Sequence, residues 1–190
     1  MLQMESPPLR VSRRLFEQLV VENPDARLER AADGSLVIVP PTGYSGSRRN
    51  SQLNLQLAAW NEAAGLGEVT ESNGGFELPD GSIRAPDAAW ISWERLQSLT
   101  DDERETFAPV CPDFVVELRS KNDQVSELRE KMTSYLANGA RLGWLIDPYE
   151  RRVEIFRPGR EVESLLDPET VSADDVLPGF ALRLAPIFAR

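Results

Sequence analysis

An α+β domain built on a mixed β-sheet is the fold class this sequence predicts, and two observations carry it. Between residues 113 and 147 a valine-rich apolar run, DFVVEL, is followed by an amphipathic stretch and a second apolar run, LGWLID. A strand–helix–strand order of this kind needs a crossover between parallel neighbours. Elsewhere, short strand-like runs face each other across turn signals such as Ala32-Asp33-Gly34, which implies antiparallel hairpins. Both kinds of pairing in one chain make the sheet mixed.

The elements follow in order. Ser12 is placed to cap a short helix through about Glu22, with Leu15, Phe16, Leu19 and Val20 on one face. Asn23-Pro24-Asp25 ends it. The runs ARLER and SLVIVP then form the first hairpin, and the loop PPTGYSGS leads into a helix from about Ser47 to Ala64. Leu53, Leu57, Trp60 and Ala64 recur there at helical spacing, and Gly65 and Gly67 stop it. The centre reads as β: EVTES, GFELP and IRAPDAAWI, separated by Asn73-Gly74-Gly75 and Asp80-Gly81. Ser92 begins a brief helix, and Thr100-Asp101-Asp102-Glu103 has the form of a capping box for another. After DFVVEL comes QVSELREKMTSYLAN, whose apolar stripe is Val125, Leu128, Met132, Tyr135 and Leu136, closed by Asn138-Gly139. LGWLID, the turn at Asp147-Pro148 and RRVEIF complete the reading. The terminal FALRLAPIF either closes the core or offers an interface between copies.

The length suits one domain over residues 1–190, with the polar, proline-bearing first ten residues expected as a mobile lead-in. No run approaches the ~20 apolar residues of a membrane span, and no signal-peptide core is seen at the start. The single Cys111 has no internal disulfide partner, which fits a reducing, cytoplasmic setting. Histidine is absent, which excludes His-based triads and most zinc sites. Any metal must therefore be held by oxygen, and oxygen ligands favour Mg2+, Mn2+ or Ca2+. The net charge of −10 weighs against broad adhesion to nucleic acid. Six of the acidic residues, however, lie in 161–176 with no Lys or Arg among them, which leaves room for a local basic groove elsewhere.

Three residues suggest chemistry. Pro86-Asp87 opens the apolar strand AAWI, Glu117 ends the buried strand DFVVEL, and Lys131 lies on the helix that follows. A carboxylate at the end of a buried strand is costly unless paired, hydrogen-bonded or metal-bound. Two such groups repel each other, and a divalent cation relieves the repulsion. Lys131, three residues after Leu128 and four before Tyr135, sits at the edge of the apolar stripe beside Gln124, from where it could face Glu117. Taken singly, each has a plainer reading: Asp87 as a turn residue, Glu117 as the ion-pair partner of Arg119 or Lys121, Lys131 as a snorkelling side chain.

The runs PPTGYSGSRRNSQLNLQLAAWN, GFELPDGSIRAPDAAWIS, CPDFVVELRSKND, EKMTSYLANGARLGWLIDP, RVEIFRPG and DVLPGFALRL resemble, in order, the restriction-endonuclease family often called Uma2-like. The resemblance spans about Val11 to the end. It implies the PD-(D/E)xK nuclease superfamily and its restriction-endonuclease-like core, a mixed sheet flanked by helices. By that resemblance Asp87 is the acid of the "PD" motif, Glu117 is the second acid, and Glu29 is the additional N-terminal acid at the metal. By itself Glu29 would read as half of a surface pair with Arg27 or Arg30. The superfamily's usual lysine slot, two residues after the second acid, holds Arg119, which stays protonated and cannot act as a base. The lysine role then passes to Lys131 on the next helix.

The function expected is a Mg2+- or Mn2+-dependent DNA endonuclease, with Asp87 and Glu117 holding metal, Lys131 assisting at water or phosphate, and Arg119, Arg48 and Arg49 touching the DNA backbone. Cutting both strands would call for two active sites, hence a homodimer. The alternative is a catalytically silent binding or assembly module that keeps the nuclease-like fold, favoured by the negative charge and the lost lysine slot.

Overall fold

The computed structural model describes residues 8–189, so Met1–Pro7 of the lead-in lie outside the described residues. The first half contains α1 (Arg13–Glu22), β1 (Arg27–Arg30), β2 (Leu36–Val39), α2 (Tyr44–Ala64), β3 (Gly67–Glu71), β4 (Phe76–Glu77), β5 (Ile83–Arg84) and β6 (Ala88–Ser92). Then come α3 (Trp93–Leu96), α4 (Asp101–Arg104), β7 (Phe114–Leu118), α5 (Val125–Ala137), β8 (Leu142–Asp147) and β9 (Arg152–Phe156). The chain ends through β10 (Glu163–Leu166), β11 (Thr170–Ser172), β12 (Ala181–Arg183) and α6 (Ala185–Phe188).

The central sheet runs in the order β10-β9-β8-β7-β6-β3. Only β7 and β8 pair in parallel, through the α5 crossover, and every other neighbour pair is antiparallel. The sheet is therefore mixed, as the two kinds of sequence signal predict. A second sheet, β2-β1-β5-β4, is antiparallel throughout, and β11 pairs with β12.

Both faces of the central sheet are covered, which explains why β7 and β8 read as continuous apolar runs. Phe114, Val116, Leu118, Leu142, Trp144 and Ile146 face Leu53 and Leu57 of α2 and the C-terminal segment. Val115 and Leu145 face Met132 and Tyr135 of α5 on the other side. Gly143 allows that approach, because a Cβ there would lie 2.3 Å from Met132 Cε. FALRLAPIF closes the core: Phe180, Leu182, Leu184, Ile187 and Phe188 are all buried in it.

Local signals operate as their chemistry requires. Ser12 Oγ accepts the Leu15 amide, and Thr100 and Glu103 exchange both bonds of a capping box. Two boundaries differ from expectation. α2 begins at Tyr44 rather than Ser47, entered through the extended Gly43. IRAPDAAWI is two strands in two sheets, β5 and β6, because Pro86 lacks the amide a continuous ladder needs. Asp87 stands at that break.

Candidate active site

Asp87 and Glu117, thirty residues apart in sequence, meet across a strand pair. β6 runs antiparallel to β7 with Ala88 opposite Val116, and one further step of the register sets Asp87 opposite Glu117. The Leu118 amide donates to Asp87 Oδ2 at 2.8 Å. From α2, Asn50 Nδ2 donates to Asp87 Oδ1 at 3.1 Å, and Asn54 Nδ2 donates to the Asp87 main-chain carbonyl at 3.0 Å.

Glu117 is only 4% exposed. Its Oε1 accepts the Lys131 ammonium at 2.9 Å and the Tyr135 hydroxyl at 3.1 Å, both presented by α5 one turn apart. The same ammonium donates to Glu29 Oε1 at 2.9 Å. Glu29, on β1, also accepts Arg84 Nη1 and the Ala85 amide, each at 3.2 Å. Glu29 is therefore a buried residue bound to Arg84 and Lys131, not half of a surface pair. Glu117 likewise pairs with Lys131 rather than with Arg119 or Lys121.

Three carboxylates around one ammonium make an electrostatically unequal set. Burial pushes the Glu117 carboxyl up to about 7, aided by repulsion from Asp87 and Glu29 and only partly opposed by Lys131. Burial also raises Asp87, against the Leu118 amide, Lys131 and Asn50. Glu29 moves the other way, because Lys131 and Arg84 with the Ala85 amide outweigh its burial. Burial works against the Lys131 charge, but Glu117 and Glu29 overcome it and hold the ammonium protonated well above neutral pH.

Because folding raises the Glu117 pKa, the folded state holds the proton more tightly between the ordinary carboxyl value and about 7. Stability from this group is thus full in acid and lost as pH rises through that window, by about 3 kcal/mol in all. Urea unfolding in EDTA is expected to show the decline in the wild type, while the Glu117→Gln variant loses that part of the pH dependence.

The cluster lies on the floor of a cleft of about 860 Å³, walled by the β1–β2 hairpin, the start of α2 and residues 119–124. Its lining holds five Arg and Lys residues against six carboxylates, so no basic groove forms there. A neighbouring hollow of about 400 Å³ contains none of the three carboxylates, and its buried acids are paired, Arg119 with Asp147 at 2.7 Å and Arg129 with both oxygens of Glu154.

As a cation site, the floor offers oxygen alone. Among the described residues no three Asp, Glu, Cys or His side chains form a ready-made cage. Asp87 and Glu117 supply two facing carboxylates, and beside them Asn50 Oδ1 is buried without a hydrogen-bond partner. Two carboxylates, with the remaining positions left to water and phosphate, is the manner in which Mg2+ is usually held. The donor set fits that ion.

The arginines expected at DNA are distributed differently. Arg119 lines the cleft, with its guanidinium fixed by Asp147 and by the Asp123 carbonyl. Arg48 and Arg49 turn to the chain's own C-terminal segment instead: Arg48 donates to the carbonyls of Pro186 and Ala189, and the buried Arg49 donates to that of Ile187 at 3.0 Å. The carbonyls at the end of a helix need donors from elsewhere, and the two guanidinium groups supply them here. Arg49→Ala is expected to lower stability by about 1.5–3 kcal/mol, the worth of a hydrogen bond to a charged group, as read by chemical denaturation.

Asn50, Tyr135 and Arg84 are the site residues that sequence reasoning missed. Asn50 and Asn54 interrupt the face of α2 that carries Leu53 and Leu57, and a polar i, i+4 pair beside an apolar stripe was a usable signal. Tyr135 was visible only as part of the α5 stripe.

The sequence profile of the Uma2 family, described as "Putative restriction endonuclease", matches residues 14–185. No curated protein matches the sequence. Among solved structures, one described as "a putative nuclease belonging to DUF820" from Anabaena variabilis matches with a TM-score of 0.73. The match covers 85% of this chain and 89% of that one at 20% identity, a level at which the likeness speaks for the fold. With the fold shared and the family profile spanning nearly the whole chain, the chain belongs to the Uma2 family, the one described as "Putative restriction endonuclease".

Proposed function

We propose that this chain is a divalent-metal-dependent DNA endonuclease that hydrolyses phosphodiester bonds, with Asp87 and Glu117 holding Mg2+ or Mn2+ and Lys131 at the reacting centre. The observation that carries this reading is the opposition of Asp87 and Glu117 across β6 and β7 with the Lys131 ammonium 2.9 Å from Glu117. The ion, when bound, polarises a phosphate oxygen and lowers the pKa of the attacking water.

The chain's own groups divide the remaining work. Glu117 and Glu29 hold the Lys131 ammonium protonated in the metal-free chain, which suits it to stabilise developing negative charge. Asn50 and the Leu118 amide fix the orientation of Asp87. Glu29, expected as a metal ligand, already receives three donors, and its work is to position Lys131. Arg119 remains a backbone contact, joined by Arg27 and Lys121 of the cleft lining in place of Arg48 and Arg49.

Supercoiled plasmid incubated with Mg2+, Mn2+ or EDTA tests this. Nicking is expected with either metal, none in EDTA, and none from Glu117→Ala. Cleavage in EDTA, or cleavage that survives that substitution, would sink the assignment.

The balanced charge of the cleft favours a second reading, a silent module on the nuclease fold. Thermal melting separates the two. A working carboxylate site gains about 2.7 kcal/mol when the ion is at a hundred times its Kd, whereas absent cleavage with no Mg2+ or Mn2+ shift favours the module.

A further inference from the structure

Two of the residues that line the cleft carry aromatic rings left open to solvent. Tyr44, the first residue of α2, is 84% exposed, and Ile38 on the facing hairpin is 68% exposed. Tyr149, in the turn between β8 and β9, is 45% exposed. Its ring is braced by Arg49 and Arg119, whose guanidinium carbons lie 5.4 and 5.8 Å from the ring centroid. All three side chains line the same cleft as Asp87 and Glu117.

We propose that this cleft takes an unpaired DNA strand whose bases stack on Tyr44 and Tyr149, making single-stranded or strand-separated DNA the preferred substrate over intact duplex. The inference rests on the nuclease reading and specifies its substrate.

Two observations support it. Glu117 and Lys131 are nearly buried at the floor, so a scissile phosphate has to descend below the rim. A single strand can thread into such a cleft with its bases splayed, whereas a stacked duplex has to be opened first. The lining also has no excess of positive charge, which leaves room for a source of affinity besides the few phosphate contacts of Arg27, Arg119 and Lys121. Stacking on aromatic faces supplies affinity that needs no net charge and tolerates any base. A strand-separated substrate also needs one active site only, which removes the need for a homodimer.

The test compares a fluorescein-labelled oligothymidylate with a hairpin duplex of equal length, binding to the full chain in Ca2+ and read by anisotropy. The oligothymidylate is expected to bind at least about tenfold more tightly. Tyr44→Ala is expected to weaken that binding by about five- to a hundredfold, and Tyr44→Phe to leave it within about twofold. Tyr149→Ala is expected to weaken it as well. Duplex binding as tight as the single strand, or an unchanged Kd for Tyr44→Ala, overturns the proposal. Tyr44-dependent oligothymidylate binding without any metal-dependent cleavage supports the stacking surface and overturns the nuclease reading. Metal-dependent duplex cleavage undiminished by Tyr44→Ala does the reverse.

Discussion

Exchanging Asp87 for asparagine is expected to reduce Mg2+-supported plasmid cleavage by on the order of a thousandfold or more while leaving the fold in place. A metal ion at a reacting phosphate is worth several kcal/mol of transition-state stabilisation, and each 1.36 kcal/mol is a factor of ten in rate. Asparagine keeps an oxygen for the Leu118 amide but sets its own amide against Asn50 Nδ2, a local cost of about 1 kcal/mol. Removing the Asp87 charge also removes one of the repulsions that raise Glu117. The variant should therefore titrate Glu117 at lower pH, with a smaller loss of stability between acid and neutral solution. Activity, a circular-dichroism melt and the pH dependence of urea unfolding read all three. Cleavage within tenfold of wild type by a folded Asp87→Asn protein would remove Asp87 from the metal.

Much of the fold was legible because its strongest signals are local. The α5 stripe, the valine-rich β7 and the Thr100 capping box depend on residues within a turn or two of one another. What escaped is what depends on distant partners. β10, β11 and β12 lie in or just beyond the acid-rich stretch, are three or four residues long and bury at most one side chain each, so they are too short to carry a periodic signal. IRAPDAAWI reads as one strand by composition, yet Pro86 divides it between two sheets.

The site was legible in its chemistry more than in its wiring. The absence of histidine restricts any metal to oxygen, and helical spacing alone places Lys131 where it can look toward Glu117. Glu29 shows the limit. Its neighbours in sequence are Arg27 and Arg30, but Arg30 points to the opposite face of β1, where it donates to the carbonyls of Val11 and Gly81. Its actual partners, Arg84 and Lys131, come from elements 55 and 102 residues away. Arg48 and Arg49 show the same limit from the other side, since an adjacent basic pair reads as a phosphate contact until the C-terminal carbonyls that receive it are known.

Lys131→Met is expected to have the largest combined effect of any single substitution, because one ammonium serves two buried carboxylates. Removing one partner from a buried ion pair costs about 3–5 kcal/mol, since the remaining charge is left uncompensated. Glu29 retains Arg84 and the Ala85 amide, so the loss falls mainly on Glu117, which keeps only the Tyr135 hydroxyl on Oε1. Glu117 then holds its proton to higher pH still, and the deficit relative to wild type should shrink in acid, where that carboxyl is neutral in both proteins. Millimolar Mg2+ should restore part of the stability at pH 8, because a cation again sits among the carboxylates. Cleavage should stay depressed by about 10²–10³, the usual loss when a fixed donor to developing negative charge is removed. Urea unfolding at pH 5 and pH 8, with and without Mg2+, measured beside plasmid nicking, separates these effects. A deficit of equal size at both pH values would mean that Lys131 acts through the packing of its aliphatic stem and not through its charge.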